Sequence, residues 1–329
     1  MNIAEFAKIA GYSTATISRA FHEPEKIRDT TRKHVLDLAE NLGYYPNASG
    51  RALVKGVHDV LGLVWPLEVE GPGALFAQRV LAALTRQLVL NDLDLLICPV
   101  DRRDANTMEH AHRTMQRSRC DAWILLYPRH NDPLIRSLRV SQKPVVCLMG
   151  QLAECPEWKC VTLNQASWIK EALQRLKANG ARRVLFLGCR RQEPDHEERL
   201  AIFSELAPQF FGRNAITHPF WPLSTVDVRE LLVAEKVDAV IGVDDAAALV
   251  AARACQLPGA AKIKDLQIIG IDDSPENARF DPPPATFRQP LEEMTACAVD
   301  LALGSRVRSQ KFEAVFVPRN GPVDPRIQK

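Results

Sequence analysis

Five side chains near the N-terminus, Thr14, Ala15, Thr16, Ser18 and Arg19, are either short or able to form hydrogen bonds. Short side chains let a helix approach the edges of DNA bases, and an arginine can donate two hydrogen bonds to guanine O6 and N7. Thr14 and Ala15 can offer methyl groups to thymine, and the Thr14 hydroxyl can form a hydrogen bond. The chemistry that these residues support is the reading of base pairs in a major groove.

Three short helices are predicted to position these side chains. Their apolar residues recur at i, i+3, i+4 and i+7, the spacing of one buried helical face. The residues that we expect to cap, start or end these helices are Asn2, Gly11, Ser13, Asp29 and Gly43. Two short helices joined by a tight turn and braced by a third make a helix-turn-helix domain, whose second helix enters the major groove. The alternative is a three-helix bundle whose polar face meets only water.

Residues 2–19 read NIAEFAKIAGYSTATISR, and residues 42–48 read LGYYPNA. Together with Pro24–Ile27 and Thr31–Arg32, these segments resemble the helix-turn-helix signature of the LacI/GalR family of bacterial transcription regulators. The resemblance implies base contacts by Thr14, Ala15 and Arg19, and phosphate contacts by Ser13, Thr16 and Ser18.

Residues 47–53 read NASGRAL and resemble the hinge motif of the same family, Asn-Ala-x-Ala-Arg-x-Leu. In the family this segment is a helix in the minor groove, where its leucine wedges into a base step and kinks the DNA. The resemblance therefore implies DNA contacts by Asn47, Arg51 and Leu53. Gly50 replaces the usual alanine at a cost of roughly 1 kcal/mol in helix propensity, so we expect the segment to become ordered only on DNA. The alternative is a flexible linker.

Short aliphatic runs alternate with helical stretches across residues 59–329. This alternation predicts parallel sheets covered by helices on both faces, in two doubly wound subdomains. The predicted fold is thus an N-terminal all-α helix-turn-helix domain followed by an α/β core of two doubly wound subdomains, and the resemblance to the LacI/GalR family implies a core similar to periplasmic binding proteins. The predicted boundaries are 1–45 for the helix-turn-helix domain, 46–58 for the hinge and 59–329 for the core. Within the core, one subdomain is expected at about 59–159 and 290–318, and the other at about 160–289 and 319–329.

Ligands in doubly wound folds bind beyond the carboxyl ends of the strands. Residues 266–275, LQIIGIDDSP, and residues 281–290, DPPPATFRQP, resemble the effector-binding core of the LacI/GalR family. The resemblance implies effector contacts by Phe76, Arg199, Trp221, Asp244 and Asp272. Carboxylates, an arginine and aromatic faces suit a polyhydroxylated ligand such as a sugar. A sugar phosphate is the alternative ligand if Arg190 and Arg191 also face the cleft. The structural alternatives are a surface charge for Arg199, a cap for Asp272 and core packing for Trp221.

Composition excludes several classes of protein. The 329 residues are 46% hydrophobic and 25% charged, values typical of globular domains. No apolar run reaches the roughly 18 residues of a membrane helix, and we expect no secretory signal. The eight cysteines are scattered without a Cys-x-x-Cys pair, which predicts free thiols rather than disulfides or a metal site. The net charge of +2 arises within residues 1–56, since the remaining residues carry 34 basic and 34 acidic side chains.

The sequence contains no Gly-x-Ser-x-Gly, Walker or His-Glu-x-x-His motif, so we expect neither enzymatic activity nor a cofactor. The prediction is a cytoplasmic transcription regulator, a repressor of a carbohydrate-use operon, that binds operator DNA and is controlled by a small-molecule effector. We expect a homodimer, with a tetramer as an open alternative, and no membrane association. The rival hypotheses are a cytoplasmic solute-binding protein and an α/β enzyme.

Overall fold

The structure is a computed structural model that describes residues 1–45, 57–69, 72–117, 119–188, 194–218, 224–258, 263, 265–305 and 308–319. The chain divides into two compact units, Met1–Asp59 and Val60–Lys329, here called the N-terminal unit and the core unit. Within the described residues, no helix combines the length and apolar character that a membrane span requires.

The N-terminal unit contains three helices, α1 (Ile3–Ala10), α2 (Thr14–His22) and α3 (Asp29–Leu42). Its core comprises Phe6, Ala7, Ala10, Ile17, Ala20, Val35, Ala39 and Tyr44. Helix α1 ends at Gly11, whose φ of 72° lies in the left-handed region that glycine adopts without strain. The predicted helix-turn-helix arrangement is confirmed.

The apolar residues at the two ends of this bundle differ from the predicted pattern. Ile3 and Leu42 match the helical spacing, but they are 38% and 44% exposed. Tyr44, which lies beyond α3, fills the core instead and stacks on Phe6 with a centroid separation of 4.1 Å. Periodicity identifies the helical face, but it does not show that a residue after the last helix folds back onto it.

The first sheet of the core unit has the strand order β11-β5-β4-β3-β1-β2, and its pairings are parallel. Its strands are β1 (Val60–Pro66), β2 (Asp94–Val100), β3 (Ala122–Leu126), β4 (Val145–Leu148), β5 (Lys159–Leu163) and β11 (Gln310–Phe312). The helices of this half are α4 (Pro72–Leu90), α5 (Ala105–Arg117), α6 (Ile135–Val140) and α11 (Leu291–Ala302). Because helices cover both faces, β3 and β4 are buried throughout.

The second sheet has the strand order β12-β10-β9-β8-β6-β7, and β12 is antiparallel to β10. Its strands are β6 (Val184–Leu187), β7 (Ala215–His218), β8 (Ala239–Gly242), β9 (Gln267–Ile271), β10 (Ala285–Arg288) and β12 (Val315–Val317). Its helices are α7 (Gln165–Ala178), α8 (Pro194–Phe211), α9 (Thr225–Ala234) and α10 (Asp245–Gln256). The predicted pair of doubly wound α/β subdomains is confirmed, and these are called the first and second halves below.

The structure shifts two of the predicted boundaries between the halves. Strand Lys159–Leu163 completes the first sheet, whereas the prediction assigned residues from 160 onward to the second half. Strand Val315–Val317 pairs with β10 in the second sheet, whereas the prediction kept residues up to 318 in the first half. Strand–helix alternation shows that a strand exists, but it carries no signal for the sheet that the strand joins.

The first half buries a group of thiols. Six free cysteines of the described residues are buried, namely Cys98, Cys120, Cys147, Cys155, Cys160 and Cys297, and Cys255 is half-buried. Cys147 lies opposite Cys160 on the neighbouring strand. Burial raises the pKa of Cys98 to about 12 and that of Cys120 to about 11, so these side chains are neutral packing groups.

Candidate functional sites

The second helix of the N-terminal unit presents one polar face to solvent. Thr14, Ala15, Ser18 and Arg19 are exposed and Thr16 is half-buried. The opposite face buries Ile17 and Ala20 in the bundle. The structure therefore places the predicted base-reading and phosphate-contacting side chains of this helix on its accessible side, and their individual roles stay predictions.

Local hydrogen bonds hold this helix in place. The Ser13 hydroxyl accepts the backbone N–H of Thr16 at 3.1 Å, which caps the helix N-terminus. Arg32 of α3 donates from Nε to the Ala20 carbonyl at 3.3 Å near the other end. In α1, Asn2 forms a capping box with Glu5. The arrangement presents a fixed helix with leading N-terminal side chains, the geometry that major-groove docking requires.

Several predicted site residues lie outside the described residues. They are Asn47, Arg51 and Leu53 of the hinge motif, the candidate pocket residue Trp221, and the candidate anion-binding residues Arg190 and Arg191. Their assignments stay predictions.

A cavity lies between the two halves of the core unit, at the carboxyl ends of their strands. It is lined by Gly73, Phe76, Tyr127, Met149, Asp195, His196, Arg199, Asp244, Asp272 and Gln289. The structure thus brings together four side chains that were predicted to contact a ligand, Phe76 from the first half and Arg199, Asp244 and Asp272 from the second.

Arg199 lies on α8 and is 3% exposed, so a surface charge is the wrong description of this residue. Its guanidinium donates to Gln165 Oε1 at 3.0 Å and to the Val243 carbonyl at 2.8 Å, and it pairs with Asp195 Oδ2 at 3.0 Å. These contacts join α7, α8 and the end of β8. Arg199 therefore holds the wall of the cavity together as well as lining it.

Asp272 follows the last residue of β9 and has a φ of 115°, a conformation that strains a residue with a side chain. Its Oδ1 accepts a hydrogen bond from Gln289 Nε2 at 2.7 Å. Burial in the cleft raises its pKa to about 7; Arg199 opposes this shift, and the charge of Asp244 adds to it. The carboxyl can therefore accept or donate hydrogen bonds near neutral pH.

Asp244 and Asp245 differ in function although they are adjacent. Asp244 caps α10 by accepting the N–H of Ala247 at 2.8 Å, and it also lines the cavity. Asp245 lies beneath the cavity, where it accepts hydrogen bonds from the Ser274 backbone, Asn277 and Thr286. Burial raises the pKa of Asp245 well above its ordinary value.

Gly270 allows the Asp245 side chain to pack against β9. A Cβ at Gly270 would lie 2.2 Å from Asp245 Oδ1 and 3.0 Å from the Cβ of Ala248. Any larger side chain at position 270 would displace α10 or its first turn. The close approach of strand and helix therefore depends on glycine at this position.

The cavity combines hydrogen-bonding carboxyl groups with an arginine and with aromatic rings. Asp195, Asp244 and Asp272 share it with Arg199, and the rings of Phe76 and Tyr127 complete its lining. Charged groups form strong, directional hydrogen bonds to hydroxyls, and rings pack on the apolar face of a sugar ring. Within the described residues, no group of three or more His, Cys, Asp or Glu side chains is arranged to hold a metal ion.

The sequence-based prediction missed several lining residues. Gln289 lies within the quoted DPPPATFRQP segment, so its position beside Asp272 carried a signal. Tyr127 and Met149 follow β3 and β4 directly, and the rule that ligands bind beyond strand ends could have found them. Asp195 carried no comparable signal. It lies one turn before Arg199 on α8, and the sequence does not define which face of that helix lines the cavity.

Two family models match this chain. The model described as bacterial regulatory proteins, lacI family, matches residues 2–47. The model of the periplasmic binding protein-like domain matches residues 173–318. The first match covers α1 to α3, and the second covers most of the second half together with α11 of the first.

Curated relatives extend the similarity over nearly the whole chain. The HTH-type transcriptional regulator GalS of Salmonella typhimurium is 28% identical over 92% of this chain and 89% of the relative. The HTH-type transcriptional regulator CelR of Thermobifida fusca is 27% identical over 91% of both. The HTH-type transcriptional repressor PurR of Aliivibrio salmonicida is 24% identical over 94% of this chain and 93% of the relative.

Solved structures share the fold. A complex of the transcriptional regulator CelR with cellobiose aligns with a TM-score of 0.66 and 23% identity, over 98% of this chain and 100% of that chain. A lac repressor dimer bound to operator and the anti-inducer ONPF aligns with a TM-score of 0.77 and 18% identity, over 98% and 99%.

Proposed function

This chain belongs to the LacI family of bacterial regulatory proteins, and on that basis we propose how it reads DNA and senses a ligand. It is a DNA-binding transcription regulator, in agreement with the prediction from its N-terminal motifs. Its curated relatives are regulators rather than enzymes, which agrees with the expected lack of catalytic activity. We assign it to the cytoplasm, where operator DNA is found.

The proposed DNA-reading surface is the exposed face of α2. Thr14, Ala15 and Arg19 contact base edges, while Ser13, Thr16 and Ser18 contact phosphates. The single observation that supports this assignment best is the exposure of Thr14, Ala15 and Arg19 on a helix whose N-terminus is capped by Ser13. Asn47, Arg51 and Leu53 of the hinge motif extend the contact into the minor groove.

The proposed effector site is the cavity between the halves of the core unit. Asp272 and Asp244 accept hydrogen bonds from ligand hydroxyls, Arg199 orients them, and Phe76 packs against the ring. The similar CelR structure contains cellobiose, which supports a sugar or sugar derivative as the ligand class. A sugar phosphate is the alternative if Arg190 and Arg191 reach the same ligand.

The proposed mode of action is repression by a homodimer. Two copies of α2 read the halves of a pseudo-palindromic operator, and the paired hinge segments bend its centre. The lac repressor structure that shares this fold is itself an operator-bound dimer. Ligand binding changes the separation of the two halves and thereby the affinity for DNA, with reciprocal coupling between the two sites.

Electrophoretic mobility shift and footprinting assays with the full chain and its own promoter DNA test the DNA-binding function. We expect a protected pseudo-palindrome and specific binding that persists in excess competitor DNA. Failure to bind any promoter fragment specifically, with or without ligands, would favour a solute-binding protein instead.

A thermal-shift screen tests the ligand class. Neutral monosaccharides and disaccharides, including cellobiose, are compared with the corresponding sugar phosphates, because a ligand that binds only the native state raises the melting temperature. We expect a neutral sugar to stabilise the wild-type chain and to have a smaller effect on Asp272→Asn. Stabilisation by phosphates alone would instead assign the site to an anionic ligand.

A further inference from the structure

One arginine of the first half reaches the backbone of the second. Arg79 lies on α4, and its Nη1 donates hydrogen bonds to the carbonyl of Asp272 at 2.5 Å and to the carbonyl of Asp273 at 3.1 Å. The same guanidinium lies 5.9 Å from the centroid of the Phe76 ring, one turn earlier on α4. Arg79 therefore connects the ring that lines one wall of the cavity to the strand end that forms the other.

The backbone that Arg79 contacts is held rigidly in an uncommon conformation. Asp272 and Asp273 have φ values of 115° and 52°, both in the region that favours glycine. The Asp273 carboxylate accepts hydrogen bonds from Arg288, at 2.6 Å, and from Arg319. The Asp273 N–H donates to Thr286 Oγ1 at 3.2 Å. Two consecutive strained residues persist only where surrounding contacts hold them, and the result is a pair of carbonyls that both accept from Arg79.

Two ion pairs also join the halves. His130 Nε2 lies 3.7 Å from Glu197 Oε2, and Lys311 Nζ lies 3.5 Å from Glu198 Oε1. The side chains in these pairs are between 39% and 57% exposed, and exposed ion pairs contribute little to stability. The two hydrogen bonds that Arg79 donates are better candidates for contacts that control closure than these ion pairs.

We infer that Arg79 is a positioning residue. Its hydrogen bonds to the carbonyls of Asp272 and Asp273, here called the clasp, hold the two halves together and couple ligand contact at Asp272 to their separation. The inference rests on the proposed function, because the cavity that Asp272 lines is taken as the effector site. A ligand that contacts Asp272 and Phe76 touches both ends of the clasp. The binding free energy of the ligand is therefore partly determined by whether Arg79 keeps the end of β9 against α4.

Hydrogen exchange of the full chain without ligand tests the clasp directly. The variants are Arg79→Met and, as a matched control, Arg86→Met. Arg86 lies on the same helix but pairs with Glu292 of α11, within the first half. For Arg79→Met we expect exchange of the amides at 272–274 to accelerate about tenfold, the effect of losing one charge-assisted hydrogen bond. For Arg86→Met we expect wild-type rates in this segment.

Small-angle scattering on the same samples gives an independent readout of closure. We expect a larger radius of gyration for Arg79→Met than for Arg86→Met and the wild type. Should Arg79→Met fail to fold, Arg79→Gln is used, which keeps a polar side chain but is too short to reach the two carbonyls. Equal exchange rates at 272–274 in the Arg79 and Arg86 variants, with identical scattering, would overturn the inference.

The coupling is tested with cellobiose or whichever sugar of the panel stabilises the wild type. We expect Arg79→Met to weaken the binding of that sugar about tenfold, the same fold-change as in exchange, and Arg86→Met to leave it unchanged. Equal affinity in both variants would contradict the coupling. The role of Arg79 and the proposed function can be contradicted independently, because hydrogen exchange in the ligand-free chain reports on Arg79 whether or not the chain binds any promoter.

Discussion

Asp272 is a cleft residue whose charge depends on its surroundings. It is held in a strained conformation, it accepts a hydrogen bond from Gln289, and burial raises its pKa to about 7. Asp244 lies in the same cavity, and its charge further disfavours ionisation of Asp272. A ligand hydroxyl therefore meets a carboxyl group that changes from donor to acceptor within the physiological pH range.

Asp272→Asn should change how stability depends on pH. An unfolded aspartate titrates near pH 3.9, so between about pH 4 and 7 the folded wild type holds a proton that the unfolded chain releases. The stabilising contribution of Asp272 is thus fully present below pH 4 and is lost as pH rises to 7, by at most about 1.4 kcal/mol per pH unit. Because asparagine does not ionise, we expect the melting temperature of the variant, relative to wild type, to rise from pH 5 to pH 8.

Thermal denaturation of the ligand-free chain at several pH values measures this difference. Asp300→Asn is the control, since Asp300 lies on the exposed side of α11. A melting-temperature difference for Asp272→Asn that is constant across the range would show that the buried carboxyl does not carry the assigned proton.

Arg19→Ala should relax sequence preference at one base pair of each half-site. A bidentate arginine–guanine contact discriminates against other bases by about 1–3 kcal/mol, and Arg19 is exposed on the face of α2 that we assign to the major groove. Selection of binding sites from a randomised operator library measures the preference. Arg28→Ala, which removes the same charge outside α2, should weaken binding to all sequences alike. An unchanged binding motif for Arg19→Ala would remove its base-reading role.

The residues of the cavity were only partly predictable. Phe76, Arg199, Asp244 and Asp272 carry signals in sequence motifs, and the structure places all four on one cavity. The second role of Arg199, as a bridge from Gln165 to the Val243 carbonyl, required the fold, because these partners are 34 and 44 residues away in sequence. Motifs identify single residues, whereas a shared contact depends on how several strand ends converge.

Helix caps contribute to the stability of α1 and α2 in the N-terminal unit. Ser13 caps α2 and Asn2 caps α1, and each side-chain oxygen accepts a backbone N–H near 3 Å. Replacing either residue by alanine leaves the first turn of one helix without its cap, at a cost of about 1 kcal/mol. The two positions differ in whether the capped helix is the proposed DNA-reading helix, and Ser13 is in addition a proposed phosphate contact.

We expect Ser13→Ala and Asn2→Ala to destabilise the N-terminal unit by similar amounts, about 1 kcal/mol each. Hydrogen exchange of residues 14–22 should accelerate more in Ser13→Ala, and operator affinity should fall further than in Asn2→Ala. A larger loss of operator affinity in Asn2→Ala would show that α2 is not the element that contacts DNA.

The strands show which elements a sequence pattern can reveal. Buried aliphatic runs such as Val145–Leu148 and Val184–Leu187 matched the structure because a strand covered on both faces consists of apolar residues throughout. Strands Gln310–Phe312 and Val315–Val317 contain no such run, since they have three residues each and none is fully buried. Short strands at a sheet edge exist because of their neighbours, so local sequence contains little trace of them.

At the scale of the whole molecule, the proposed DNA-reading helix and the proposed ligand site belong to different compact units. Residues 1–59 contain α2, whereas the cavity is built from residues of Val60–Lys329. The hinge motif, whose predicted wedge residue is Leu53, belongs to the N-terminal unit and lies outside the described residues.

Leu53→Ala tests whether DNA bending and ligand binding belong to different units. Removing the wedge should reduce operator bending, because unstacking of the central base step is no longer repaid by apolar contact. Ligand affinity should stay at the wild-type value, since the cavity belongs to the other unit. Circular-permutation gel shifts measure the bend, and calorimetry with a stabilising sugar measures affinity. A bend as large as that of the wild type would remove the wedge assignment.

The buried thiols of the first half can report when that half unfolds. Alkylating reagents attack the thiolate, and the raised pKa values of Cys98 and Cys120 leave almost none of it in the native protein. Iodoacetamide should therefore modify these two positions only in molecules whose first sheet has come apart. Mass-spectrometric measurement of labelling over time then follows global unfolding without any introduced probe.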